Sequence, residues 1–299
     1  AQYPIAQGSA MSLVARIYLS MVAMVVLLVL VGGFASLRTS DVAGTFVEYR
    51  NTERMSQIAN DLSQHISATR LAALQYRLTS QPALLEQVSQ NAETASRQAV
   101  ELTESLEGYG IQGDLRTIPD LLDEYGALLA QYSQLRRRRN DLEEVITGSG
   151  REAHQKLTEI LETALRNNNF KVISELGFAK AHLDLGALYL ERFLASGDIG
   201  DSERSADEIS EAQTDLSRLS QTLNSRQMVG TVQSILGDLV QFSNAASEAK
   251  DVILSQNAHF ERMDEIATET SAIVNAAAAA IGDWRSTLGP VPVAMAGKS

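Results

Sequence analysis

Apolar residues recur along most of this chain at steps of three and four, the spacing that places them on one face of an α-helix. The clearest run begins at Ile118 and continues at these steps to Leu135. Helix breakers are scarce, since the 299 residues include only five prolines and 19 glycines. We therefore predict an all-α protein. The expected helices are one that ends near residue 79 and others over about 82–106, 118–166, 170–196, 202–223 and 227–284.

Short breaks with recognisable turn chemistry separate these helices. In "YRLTSQPALLE", Ser80 can cap a new helix, and Pro82 suits the first turn, where its missing N–H costs nothing. Further on, Gly197 can end a helix in the left-handed conformation, and Asp198 or Asp201 can cap the next one. Both breaks are expected to be tight corners between consecutive helices.

The helix lengths constrain the architecture. At 1.5 Å per residue the third and sixth helices approach about 75–85 Å, whereas the second, fourth and fifth reach about 35–40 Å. Short helices cannot cover long ones from end to end. The simplest path is two stacked up-down four-helix bundles that share the two long helices. The lower bundle would contain residues 38–140 and 258–285, and the upper bundle residues 141–257.

One segment near the start carries no charge. From Ile17 to Leu37 the chain is long and apolar enough to predict a transmembrane anchor, which we place within residues 11–37. A cleaved signal peptide is the alternative. Residues 1–10 then form a leader before Met11, and residues 286–299 an irregular tail.

Composition excludes several functions. A net charge of −12 argues against nucleic-acid binding, which needs a basic face. The chain has no cysteine, and its four histidines are scattered without metal-site spacing. No phosphate-binding loop and no nucleophile elbow occur in the sequence. We therefore expect no enzymatic activity, no metal and no cofactor.

An apolar anchor followed by six helices, two of them long, resembles the helical bimodular sensor domain of bacterial chemotaxis receptors. The segment "ISATRLAALQYRLTSQPALLEQV", Ile66 to Val88, resembles its first corner, and the likeness extends over about Arg38 to Trp284. It implies a periplasmic domain on the bacterial inner membrane that binds a small organic acid, dimerises through its first helix and signals by helix displacement. The chain lacks the second membrane helix and the signalling module of full-length receptors, so the sensor region of a histidine kinase is an alternative.

A carboxylate ligand would need a cation inside a bundle, ideally a guanidinium that holds both oxygens. Arg70 meets this requirement, because it shares a helix face with Ile66 and Leu74. The alternative is an arginine that reaches water or pairs with a carboxylate on a neighbouring helix. The candidate ligand-binding residues are Arg70, Tyr76, Arg77, Arg262 and Thr268 in the lower bundle, and Tyr189 and Arg192 in the upper bundle.

Four consecutive arginines, Arg136–Arg139, fall near the predicted junction of the bundles. They are expected to form a solvated cluster that pairs with nearby carboxylates, or else an anion site or a stiff hinge at the junction. A membrane-anchored coiled-coil adaptor without a small ligand is the remaining alternative for the whole chain. Such a protein would have apolar or fully paired bundle interiors.

Overall fold

The computed structural model describes residues 13–109 and 114–288, and it is helical through almost all of them. No strand occurs in these two ranges, so the all-α prediction is confirmed there. Two short 3-10 helices, Glu107–Tyr109 and Asp114–Thr117, lie between the second and third α-helices. The α-helices are α1 (Leu13–Thr79), α2 (Pro82–Leu106), α3 (Ile118–Arg166), α4 (Phe170–Ser196), α5 (Ile199–Thr222) and α6 (Arg226–Thr287).

The predicted corners are confirmed, although one residue acts differently than expected. Ser80 does not begin α2 as its cap. It adopts a left-handed φ of 59°, and its N–H donates to the carbonyl of Tyr76, so it ends α1. At the second corner, Gly197 is left-handed at a φ of 75°, and its N–H donates to Phe193. The Asp198 carboxylate then accepts from Gly200 and caps α5.

The prediction of a membrane-spanning anchor at residues 17–37 is corrected by the structure. Among the residues that it describes, no helix combines the length and the apolar character needed to cross a membrane. These residues are the N-terminal part of the 67-residue helix α1, which carries charged side chains from Arg38 onward. The uncharged run from residue 17 to residue 37 is therefore part of one continuous helix rather than a helix of its own. Many of its side chains, the leader 1–10 and residues 289–299 of the expected tail lie outside the described part of the chain.

The chain divides into two compact units. Unit 1 contains Ala1–His65, Thr94–Pro119 and Ser271–Ser299, and unit 2 contains Ile66–Glu93 and Asp120–Thr270. These boundaries differ from the predicted bundle ranges, which stay a prediction.

Unit 1 buries apolar side chains from its parts of α1, α2 and α6. Leu62, Leu102 and Ile281 have no accessible surface. Near one end of this core, Arg285 hydrogen-bonds to the Tyr49 hydroxyl and pairs with a carboxylate of α1. Burial of these stripes stabilises the unit, at about 1.5–3 kcal/mol for each fully buried large aliphatic side chain.

Unit 2 contains two apolar clusters. The larger cluster joins α3, α4, α5 and the first half of α6, with Phe193 and Leu216 fully buried. The smaller joins the end of α1, the start of α2, α3 and the second half of α6, around Tyr125 and Ile266. Both long helices therefore supply residues to both clusters. These are the helix combinations expected for a four-helix core around each hairpin.

Gly186 allows α4 and α5 to approach closely. A Cβ atom there would lie 2.7 Å from Ile209 Cδ1 and 3.3 Å from the carbonyl oxygen of Ser205. Gly177, on the same helix, is exposed and would place its Cβ in open space.

The Gly186→Ala protein is expected to be about 1–3 kcal/mol less stable than the Gly177→Ala protein. Both substitutions gain the same helix propensity, but only the methyl group added at position 186 collides with a neighbouring helix. Urea unfolding of the two full-length variants measures the difference, and equal stabilities would contradict the close approach.

Candidate functional site

Arg70 lies at the edge of the smaller cluster rather than inside it. Its guanidinium is 2.6 Å from an Asp264 carboxylate oxygen, and both side chains are about half exposed. The neighbouring Tyr125 is buried, and burial raises the pKa of its hydroxyl. Thr268 donates to the carbonyl of Asp264 within its own helix, so its hydroxyl is also engaged.

Tyr76 and Arg77 contact the aromatic side of the same cluster. Tyr76 is buried and meets the Tyr132 ring edge-on, with centroids 6.3 Å apart. The Arg77 guanidinium lies 4.4 Å from the centroid of Phe260, a cation–π distance. These two candidates therefore contribute to the packing between α1, α3 and α6.

Arg262 forms the best-defined ion pair among the candidates. It donates two hydrogen bonds to Glu124, at 2.7 and 3.1 Å, and a third to Glu265. Hydrogen bonds from Arg262 hold the pKa of the Glu124 carboxyl below its ordinary value. The donors that could have received a ligand carboxylate are thus already bound to side-chain carboxylates.

The two candidates on α4 meet as expected. The Arg192 guanidinium lies 5.9 Å from the ring centroid of Tyr189 and 3.3 Å from the buried carboxylate of Asp201. On the same helix, His182 lies 2.7 Å from a Glu208 oxygen. Every arginine among the candidates is therefore paired with a carboxylate or stacked on a ring.

None of the seven candidates lines the main cleft of unit 2, although Tyr189 and Arg192 directly flank two of its lining residues, Leu190 and Glu191. We call it the α3–α4 cleft, and its volume is about 520 Å³. Gly150, one of its lining residues, lets α3 approach the Phe242 ring of α6 closely, because a Cβ atom there would lie 3.2 Å from that ring. Its lining is mostly apolar and comprises Arg139, Glu143, Ile146, Thr147, Gly150, Arg151, Ala187, Leu190, Glu191, Leu194, Ala195 and Phe242.

Two cations of the α3–α4 cleft differ in their bonding. Arg139 donates to Glu143 and to the carbonyl of Leu194, each at 2.7 Å, and so ties α3 to the end of α4. Arg151 is exposed and has no hydrogen bond or ion pair within the described ranges. The Glu191 carboxylate, which also lines the cleft, has none there either. The cleft therefore combines an apolar wall with one unpaired guanidinium and one unpaired carboxylate.

Three of the four arginines at 136–139 hydrogen-bond to another helix. Arg136 donates to the carbonyl of Arg77, and Arg138 holds Glu248 with two hydrogen bonds of 2.6 and 2.7 Å. Of the four, only Arg137 has no such partner in the described part of the chain. Sequence reasoning pointed to this run but not to Gly150 or Arg151 as site residues.

Among the side chains that the structure describes, no group of three or more His, Asp or Glu residues could hold a metal ion. No protein-family model and no curated protein matches the chain. The resemblance to helical bimodular sensor domains therefore stays a prediction.

Arg262→Gln is expected to return the pKa of Glu124 toward its ordinary value of 4.5. Because the folded-state pKa is lowered, the pair stabilises the fold above the unfolded-state pKa, and this contribution is lost as the pH falls through the folded-state pKa. Carboxyl NMR titration measures the shift, with Arg137→Gln as the matched control. Identical titrations of Glu124 in the parent protein and in Arg262→Gln would contradict the pair.

Proposed function

We propose that this chain is a small-molecule sensor of the kind found in bacterial chemoreceptors and that the α3–α4 cleft binds its ligand. The cleft is the observation that carries the proposal. Its volume lies within the about 300–1,000 Å³ of sites for small ligands, and its mostly apolar wall with few polar groups is typical of such sites. The ligand would be a small organic anion.

Arg151 would bind the charged end of this ligand. Its guanidinium is unpaired, and a guanidinium can hold both oxygens of a carboxylate with two parallel hydrogen bonds. Leu190 and Phe242 would contact the apolar part. Glu143 and Glu191 line the same space, so a highly charged polyanion would be repelled there.

Helix displacement would carry the signal. The α3–α4 cleft is bordered by α3, α4 and Phe242 of α6, so a ligand inside it contacts three helices. A ligand shifts an equilibrium between two helix arrangements only by its difference in affinity for them. Arg139 links the cleft to the C-terminal end of α4, because it holds the Leu194 carbonyl.

A protein-contact role is the second candidate, and two observations favour it. Arg70, Arg192 and Arg262 are all paired with carboxylates, as a bundle without a ligand would require. In addition, α1 exposes two leucine side chains, because Leu71 and Leu78 keep 56% and 81% of their surface accessible to solvent. Such a protein would bind a partner helix and would not respond to small anions.

Thermal unfolding of the full chain against a panel of small carboxylates separates the two roles. A ligand present at about 100 times its Kd is expected to add roughly 2.7 kcal/mol to the free energy of unfolding. Arg151→Gln should weaken binding about 10- to 100-fold, since a hydrogen bond to a charged group contributes about 1.5–3 kcal/mol. Arg137→Gln, on the same helix and equally exposed, should bind as the parent does.

Ala187→Leu provides a test that leaves the charges unchanged. Ala187 is exposed and lines the cleft, so a leucine there would place three more carbon atoms in the cleft and obstruct the ligand while α4 keeps a good helix former. We expect it to reduce the shift without lowering the Tm of the free protein. The sensor proposal would be contradicted if no carboxylate of the panel raised the Tm. It would also be contradicted if Arg137→Gln weakened binding as much as Arg151→Gln does.

A further inference from the structure

A second space in unit 2 lies between α5 and α6. We call it the α5–α6 pocket, and its volume is about 230 Å³. The buried side chains of Ile209 and Phe242 form its apolar base. The lining consists of Ser202, Glu203, Ser205, Ala206 and Ile209 from α5, and Phe242, Ser243, Ala246, Ser247 and Lys250 from α6.

Two opposite charges line this pocket without forming an ion pair. Glu203 of α5 and Lys250 of α6 have no hydrogen bond and no salt bridge, to each other or to any other described residue. Elsewhere in the unit opposite charges do pair between helices, since Arg138 holds Glu248 and Lys156 holds Asp238. The Glu203 carboxylate and the Lys250 ammonium thus line the same pocket without contacting each other.

Three hydroxyl groups in the pocket are also unused. Helical serines in this chain commonly donate to the carbonyl four residues earlier, as Ser149 does to Val145 at 2.8 Å. Ser202, Ser243 and Ser247 make no such bond in the described ranges, whereas the fourth serine of the pocket donates across to α4. These hydroxyls are therefore free to act as donors or acceptors toward a ligand.

The spacing on α6 gathers the donors on one face. Ser243, Ser247 and Lys250 follow one another at steps of four and three, so their side chains share a face of the helix. Two hydroxyl donors and one ammonium on one face suit a carboxylate group. Glu203, on the facing helix, suits a cation instead.

We propose that the α5–α6 pocket binds a small zwitterion, with a carboxylate and an ammonium on one short skeleton, as in a small α-amino acid. The carboxylate would lie toward Lys250 and the serine hydroxyls of α6, and the ammonium toward Glu203. The apolar remainder would pack on Ile209 and Phe242. A simple anion would be repelled by Glu203 and a simple cation by Lys250, so the pocket selects molecules that carry both charges.

This site lies between α5 and α6 rather than between α3 and α4, and it does not depend on the cleft being a ligand site. Its volume lies below the about 300 Å³ at which sites for drug-sized ligands begin, which suits a molecule of a few heavy atoms. Phe242 is a wall of both spaces. The variants below are therefore chosen on Glu203 and Lys250, which line only the α5–α6 pocket.

Calorimetry with the full chain tests the proposal with three matched probes. Alanine carries both charges, propionate only the carboxylate and ethylamine only the ammonium. Alanine is expected to bind at least about tenfold more tightly than either analogue, since each analogue leaves one charged group without a partner. Equal binding of propionate and alanine, or no binding of alanine, serine or glycine at millimolar concentration, would overturn it.

The variants assign the site. Glu203→Gln and Lys250→Met are each expected to weaken alanine binding about tenfold or more, whereas propionate binding should fall only in Lys250→Met. Glu211→Gln and Lys171→Met are the controls, because both residues are exposed and unpaired within the described chain. If Arg151→Gln abolished alanine binding while Lys250→Met did not, the amino acid would occupy the α3–α4 cleft and the proposal would fail. Should Lys250→Met not fold, Glu203→Gln tests the same site with a nearly isosteric change.

Discussion

Burial of one apolar stripe along α3 and another along α6 is the constraint on which unit 2 depends. α3 supplies Tyr125 and Leu129 to the smaller cluster and Leu157 to the larger. α6 supplies Ile266 to the first and Leu239 to the second. The shorter helices bury much of their apolar faces against these two long helices, since most helical stability in proteins comes from the packing of an amphipathic face. A change in the packing of α3 or α6 would therefore be felt in both clusters.

Charge pairing between helices is the second organising feature. Long helices on a small core leave many half-buried arginines, and a charge beside an apolar core is costly unless it is satisfied. Arg138 and Arg262 each hold a carboxylate of another helix with two hydrogen bonds. Against this background, the unpaired Arg151, Glu203 and Lys250 stand out because each also lines a cleft or pocket.

Local chemistry explains how much of the fold could be predicted. Gly197 and Pro82 act through their own backbone preferences, so the corners could be located from a few neighbouring residues. Ser80 was misassigned because a left-handed serine is uncommon, and its cap role was the more ordinary expectation. The predicted membrane anchor failed because it rested on a run without charges inside a much longer helix.

The sites were harder to predict than the helices, because they depend on which faces meet. Arg70 and Asp264 are far apart in sequence, and nothing in either segment names the other as its partner. Phe242 and Gly150 face each other where they line the α3–α4 cleft, which periodicity on either helix does not reveal. A glycine inside a strong helical pattern was the available signal, since such a residue often has a packing reason.

The contact between α4 and α5 has a mechanical consequence. Ser205 Oγ donates to the carbonyl of Gly186 at 2.7 Å in a buried setting, directly where the missing Cβ lets the helices meet. A buried hydrogen bond at a close crossing fixes the axial register of the two helices, because sliding either one would strand the donor in an apolar interior. We therefore expect α4 and α5 to move as one body. A movement of α4 that widens the space between α3 and α4 would then carry α5 with it.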